Sequence, residues 1–177
     1  MSSMKEVKKI TDASPFFRDV LFARGYLFTD ADIDAEAFPF YGAWQRETVG
    51  RYCLLAHPKT NYYVLQAGEE TLILIGHAYN PFDGIWKETD ILRKYAESQD
   101  RIGYFNQWTG LFTLIVVKKD GIEVWGDCAG MQCTFYGILH GKKYVTSHTT
   151  IIETVCNIST SDYVDRLTKY KFYPLFG

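Results

Sequence analysis

Thr71-Leu-Ile-Leu-Ile-Gly-His-Ala-Tyr-Asn80, followed by Lys87-Glu-Thr-Asp-Ile-Leu92, is the stretch on which the fold turns. Leu72 to Ile75 are all aliphatic, the composition of a strand buried on both sides. Gly76 breaks the run, His77 and Asn80 place polar groups at its end, and from Thr89 the apolar spacing changes. Ile91, Leu92, Tyr95 and Ala96 share one helical face up to Ser98, with Arg93, Lys94 and Glu97 opposite. A buried strand ending in polar side chains and leading into a helix is where a site is expected.

Outward from this stretch, Tyr52–Ala56, Tyr62–Gln66 and Thr71–Ala78 are short β-rich runs split by His57-Pro58-Lys59 and Gly68-Glu69-Glu70. They predict an antiparallel meander. Ile102–Trp108 reads as a second helix, and Gly110–Val117 as a strand buried on both faces. Lys118-Lys-Asp-Gly121 turns into a return strand, Ile122–Trp125. Thr134–Leu139 and Lys143–Ser147 form a further hairpin across His140-Gly141. Thr150-Ile-Ile-Glu153 fits a capping box for a helix reaching Cys156, and Asp162–Tyr170 is amphipathic. Before the central stretch, Met1–Ser14 reads as a frayed lysine-rich lead-in and Arg18–Phe28 as a strand with a bulge at Gly25. Asp30–Glu36 reads as a loop or short helix, and Trp44 as core. The expectation is one α+β domain over residues 1–177, with helices packed on antiparallel sheets.

Composition narrows the function classes. Formal net charge is −2 and the 19 basic residues are scattered, so the footprint of a nucleic-acid binder is missing. The apolar runs are too short to span a bilayer and a charged start replaces a secretory signal, which predicts a soluble, cytoplasmic protein without membrane partners. Cys53, Cys128, Cys133 and Cys156 form no C-x-x-C pair and no zinc-ligand spacing, so free, mostly buried thiols are expected, with no metal and no cofactor. The sequon at Asn157-Ile-Ser159 carries no weight without a signal.

From Gly76-His-Ala-Tyr-Asn80 onward the chain resembles the glutaminase domain of asparagine synthetase, a class II glutamine amidotransferase of the N-terminal-nucleophile hydrolase superfamily. That family reads Asn-Gly-Glu-Ile-Tyr-Asn here. Glu88-Thr-Asp90 is similar to its Ser-Asp-Thr-Glu helix start, and Trp108-Thr-Gly-Leu-Phe-Thr113 to its Asp-Gly-Met-Phe-Ala strand. Gly126-Asp-Cys-Ala-Gly-Met-Gln-Cys-Thr-Phe-Tyr136 resembles Arg-Asp-x-x-Gly-Ile-Lys-Pro-Leu-Tyr-Tyr, and Thr146-Ser-His-Thr-Thr-Ile-Ile152 resembles Ala-Ser-Glu-Ile-Lys. The five matches lie in one order between about Leu72 and Val155. The resemblance implies a four-layer α/β/β/α sandwich, two antiparallel sheets face to face with helices outside.

The same resemblance implies that the catalytic parts are gone. The superfamily nucleophile opens the mature chain, where its own amine serves as base. Here no Cys, Ser or Thr lies between Arg18 and Ala23, and the first cysteine is Cys53. The oxyanion-hole Asn is replaced by Ile75, a loss worth roughly a hundredfold or more in rate, while Gly76 keeps a backbone N–H to offer. Of the groups that hold the substrate's amine and carboxylate, His77 and Glu88 stand at two positions, and Lys59 is the one stand-in for the Arg. No catalytic residue is assigned, and Ile75, Gly76, His77, Tyr79, Asn80, Glu88 and Thr89 are the candidates for a vestigial pocket. Their structural alternatives are a filled pocket mouth for His77 and Tyr79, a turn cap before Pro81 for Asn80, and a helix-end charge for Glu88. Ser147-His148 is not expected to be a dyad, since strand neighbours face opposite ways.

Three functions remain open. The first is an inactive glutaminase-like domain partnering an ATP-dependent synthetase-like half, itself absent since no Ser-Gly-Gly-x-Asp-Ser loop occurs, and retaining an amino-acid-like ligand. The second is an amidohydrolase using Cys53 or Cys133. The third is a small-molecule or carbohydrate module built on Tyr79, Phe82 and Trp86. The apolar ending Lys171-Phe-Tyr-Pro-Leu-Phe-Gly177 is expected to be a cut or a docking end.

Overall fold

The computed structural model describes residues 4–158, 161–167 and 169. Its elements run α1 (Met4–Ala13), α2 (Pro15–Val20), β1 (Tyr26–Thr29), β2 (Gln45–Val49), β3 (Tyr52–Ala56), β4 (Tyr62–Ala67) and β5 (Glu70–Tyr79). Then come α3 (Glu88–Glu97), α4 (Arg101–Phe105), β6 (Thr109–Val117), β7 (Ile122–Gly126), β8 (Phe135–Leu139), β9 (Lys142–Thr146), α5 (Thr149–Val155) and α6 (Asp162–Leu167). The strands form two antiparallel sheets, ordered β2-β3-β1-β9-β8 and β4-β5-β6-β7. The chain is therefore α+β.

Alternation along β5 supplies two cores. Ile73 and Ile75 join Ile115 and Val117 of β6 with Tyr26, Phe28 and Leu54 of the first sheet, so one core holds side chains from both sheets. Leu72, Leu74 and Ala78 point the other way and meet Leu114 and Val116 together with Ile91, Leu92, Tyr95 and Tyr104 of α3 and α4. A third cluster joins Leu27, Leu55 and Tyr144 to Phe40, Trp44 and Ile151. Because both faces of β5 and β6 are covered, the two strands carry unbroken apolar runs. Each large side chain buried there contributes about 1.5–3 kcal/mol.

Several expectations are corrected. The strand foreseen over Arg18–Phe28 shrinks to β1, because Pro15 opens α2 with its fixed φ and because Phe22 and Arg24 adopt positive φ, which an extended run excludes. The lead-in is helical from Met4: Lys8 pairs with Asp12 one turn on, Thr11 is buried, and Asp12 accepts from the Tyr41 hydroxyl. Strand β2 was not foreseen, because Gln45-Arg-Glu-Thr is the polar composition of a sheet edge.

The meander holds from β4 through β7 and fails between β3 and β4, which lie in different sheets. At that crossing the His57 ring accepts the Lys59 N–H at 3.0 Å and its other nitrogen meets the Asp19 carbonyl at 3.0 Å, fixing the turn. Helix α5 begins at Thr149 with His148 at its N-cap and no side-chain cap, so the capping box is not formed. Of Asp162–Tyr170, the described helix is α6; Ser159 and Lys171–Gly177 lie outside the described residues. Among the described residues no helix is long and apolar enough to cross a membrane.

Candidate functional site

Gly76 sits where a side chain on β5 would press on the backbone of β6. Its φ is +98°, and a Cβ would fall 2.2 Å from the Leu111 carbonyl oxygen. Across the ladder, Gly110 has φ +133° and a Cβ there would fall 2.1 Å from the His77 carbonyl oxygen. The two glycines let the strands keep a continuous register through this contact. The N–H of Gly76, expected to be free for a ligand, donates instead to the Asn61 carbonyl at 2.8 Å. Pairing of β4 with β5 continues one residue past Tyr62 and consumes it.

His77 is exposed, and its ring is clamped at both nitrogens. Nδ1 lies 2.9 Å from Glu88 Oε1, and Nε2 lies 2.8 Å from Asn61 Nδ2. With the Asn61 amide donating, Nε2 accepts and Nδ1–H donates to the carboxylate. Glu88 opens α3, where a negative charge is favoured by the helix N-terminus. Tyr63 lies beside it, and burial followed by the Glu88 charge pushes that phenol up. Glu88 is thereby engaged from two sides.

A cavity of about 180 Å³ opens beside this clamp. Arg24, Lys59, Asn61, Gly76, His77 and Gln132 surround it, with Ile75 and Leu111 as its apolar part. Ile75 is at once a core residue. Of the predicted site residues the cavity gathers Ile75, Gly76 and His77, with Glu88 one hydrogen bond behind. It does not gather Tyr79, Asn80 or Thr89. Tyr79 stacks on Trp86 with ring centroids 4.8 Å apart. Asn80 is buried, donates to Gln107 and accepts from the Phe82 N–H, the turn cap foreseen for it. Thr89 is exposed on the first turn of α3.

Three residues that shape the site, Arg24, Asn61 and Gln132, escaped sequence reasoning. Arg24 reaches it from the tight turn before β1, where its own φ is +61° and Gly25 N–H donates to the Phe22 carbonyl at 2.7 Å. Asn61 follows the crossing between sheets. Gln132 ends a loop wound on Asp127, whose carboxylate accepts the N–H groups of Ala129, Met131 and Gln132 at 3.0, 3.1 and 2.8 Å. Burial opposes the charged form of Asp127, but these backbone donors outweigh it and hold the carboxyl below its usual range. The Asp-x-x-Gly spacing of residues 127–130 was the signal available for that loop.

Below lies a hydroxyl cluster. The Tyr26 hydroxyl donates to Thr113 Oγ1 at 3.2 Å and contacts Thr134 Oγ1 at 3.0 Å, and the two threonines are 2.6 Å apart. Burial pushes the Tyr26 phenol up, so it stays a donor.

Ser147 Oγ and His148 Nδ1 are 2.8 Å apart, contrary to the expectation that they diverge. Strand β9 ends at Thr146, so the alternation rule no longer applies to them. Ser147 is nevertheless buried and its Oγ accepts the Tyr26 N–H at 2.8 Å, tying β1 to the end of β9. All four cysteines are free. Cys53 and Cys156 are half-buried, while Cys128 and Cys133 are exposed, against the expectation of mostly buried thiols. Loop positions, rather than core ones, explain the difference. Among the described residues no group of His, Cys, Asp and Glu could hold a metal ion.

No protein-family profile and no curated protein matches the sequence.

Proposed function

We propose that the chain is a glutaminase-like domain of the asparagine synthetase type that has lost its chemistry and serves as an interaction or regulatory partner of an ATP-dependent synthetase-like half. The observation that carries the reading is the turn into β1. A nucleophile of this class must open that strand with a free amine, and the residues there are Ala23, Arg24 and Gly25, reached through two helices. Cleavage at any of these bonds would expose no thiol or hydroxyl.

Other features support the same reading. A core shared by two antiparallel sheets, helices α3 and α4 on the outer face of one, and the cluster around Phe40, Trp44 and Ile151 on the other are what a four-layer α/β/β/α sandwich requires. Ile75 and Gly76 are the residues that the resemblance aligns with the family's oxyanion hole, and here the Gly76 N–H is spent within the sheet and the Ile75 side chain has no donor. For the interaction role, β8 exposes Phe135, Tyr136 and Ile138, apolar surface of the sort that partners cover.

The rival with a non-standard nucleophile rests on Cys133, which is exposed in a shallow depression shared with His148. Cys53 faces the third core cluster instead. Incubation with a glutamine-like electrophile and mapping of adducts decides between them. The proposed reading expects no selective adduct at any cysteine; stoichiometric labelling of Cys133, blocked by glutamine, overturns it.

A further inference from the structure

We infer that the cavity beside His77 is a receptor for a small dianion, a short dicarboxylate or a phosphate group, rather than for a zwitterionic amino acid. The inference uses the cavity and the turns that build it, and it stands or falls separately from the glutaminase-like reading.

Charge on the lining is one-sided. Arg24 and Lys59 bring two cationic side chains to the same 180 Å³ space, Asn61 and Gln132 bring amides, and among the described residues no carboxylate lines it. Among the described residues neither Arg24 nor Lys59 has an ion-pair partner. Glu88, one hydrogen bond behind the lining, has its Oε1 engaged by His77 Nδ1 and stands beside Tyr63. An amino acid's carboxylate would therefore meet two cations while its ammonium group would meet only neutral acceptors, whereas a dianion would match both cations.

Backbone geometry points the same way. Arg24 holds its place with a positive φ, a conformation uncommon for a non-glycine residue and maintained by the turn that closes on Gly25. That turn and the crossing that carries Lys59 and Asn61 are tied together: the Gly25 carbonyl accepts the His57 N–H at 2.9 Å and the Thr60 hydroxyl at 2.8 Å. Two basic residues from segments 35 positions apart, counted from 24 to 59, are thus presented by one hydrogen-bonded unit. A preorganised pair of this sort loses little freedom on binding. The volume lies below the roughly 300–1,000 Å³ of sites for drug-sized ligands, so the occupant is small. Guanidinium favours planar carboxylate or phosphate oxygens in pairs, and the ammonium supplies a point charge for the second anionic group.

Titration calorimetry with malonate, succinate, inorganic phosphate and L-glutamine at fixed ionic strength tests the proposal. At least one dianion should bind saturably below about 1 mM, and glutamine at least tenfold more weakly. Arg24→Asn, which removes the charge while suiting the left-handed backbone, and Lys59→Gln should each weaken that binding about tenfold or more, with ligand-free melting temperatures near the parent's. If malonate or succinate binds and phosphate does not, the ligand class is dicarboxylate, and the reverse result makes it phosphate. Absence of saturable binding, equal binding by both variants, or glutamine as the tightest ligand would each overturn the inference. Because phosphate also stabilises proteins non-specifically, a melting shift that persists in both variants counts against it.

Discussion

At Gly76 a single methyl group would meet the Leu111 carbonyl oxygen and force an alanine to hold φ +98°. Gly76→Ala should therefore cost about 2–4 kcal/mol, read as a fall in the urea midpoint at unchanged slope. His57 offers a pH test. Burial lowers its pKa, its Nδ1 accepts the Lys59 N–H, and protonation would remove that acceptor. A depressed histidine binds fewer protons folded than unfolded. Its stabilisation is therefore complete above the unfolded value, about 6.5, and is lost as pH falls through the folded value. Unfolding free energy should decline over that range, and His57→Gln should flatten part of the slope; His148, also lowered by burial, keeps the remainder. Single residues were the hardest scale to read from sequence. Gly76 and Asn80 announced themselves by type, whereas Arg24 and Asn61 look like ordinary surface residues until the turn and the sheet crossing bring them to one cavity.

Elements with strong periodicity were legible. Strands β5 and β6 showed it by unbroken aliphatic runs, α3 by its change of spacing, and the β8–β9 hairpin by His140-Gly141, both at positive φ as a tight hairpin requires. Helix α1 and strand β2 were not, because a short charged helix and a polar edge strand owe their form to tertiary partners rather than to local pattern. The Asp127 loop is the element whose removal is most informative. Asp127→Asn replaces one oxygen facing backbone donors with an amide donor, and should cost about 2 kcal/mol near neutral pH. The folded carboxyl lies below its usual range, so its contribution is present above the unfolded value, about 3.9, and lost as pH falls through the folded one. Acid titration followed by circular dichroism should show the parent and variant curves converging in strong acid. A constant gap across the range would mean that the loop does not depend on this charge.

On the scale of the whole molecule, one core binds both sheets, so they should unfold together. Ile73→Ala, at the centre of that core, should cost about 2–5 kcal/mol while tryptophan fluorescence and far-ultraviolet circular dichroism keep coincident transitions. The order of predicted strands and helices made the α+β class readable in advance, but the assignment of strands to sheets was not, since β3 and β4 are neighbours in the chain and lie in different sheets. The proposed loss of glutaminase chemistry rests on the same frame: Arg24 holds the turn into β1, and the Gly76 N–H is spent within the sheet. The most direct measurement is ammonia release from L-glutamine by the purified protein. The account predicts no release above buffer, unchanged by Cys133→Ala, and a turnover abolished by substituting one of the protein's own residues would contradict it.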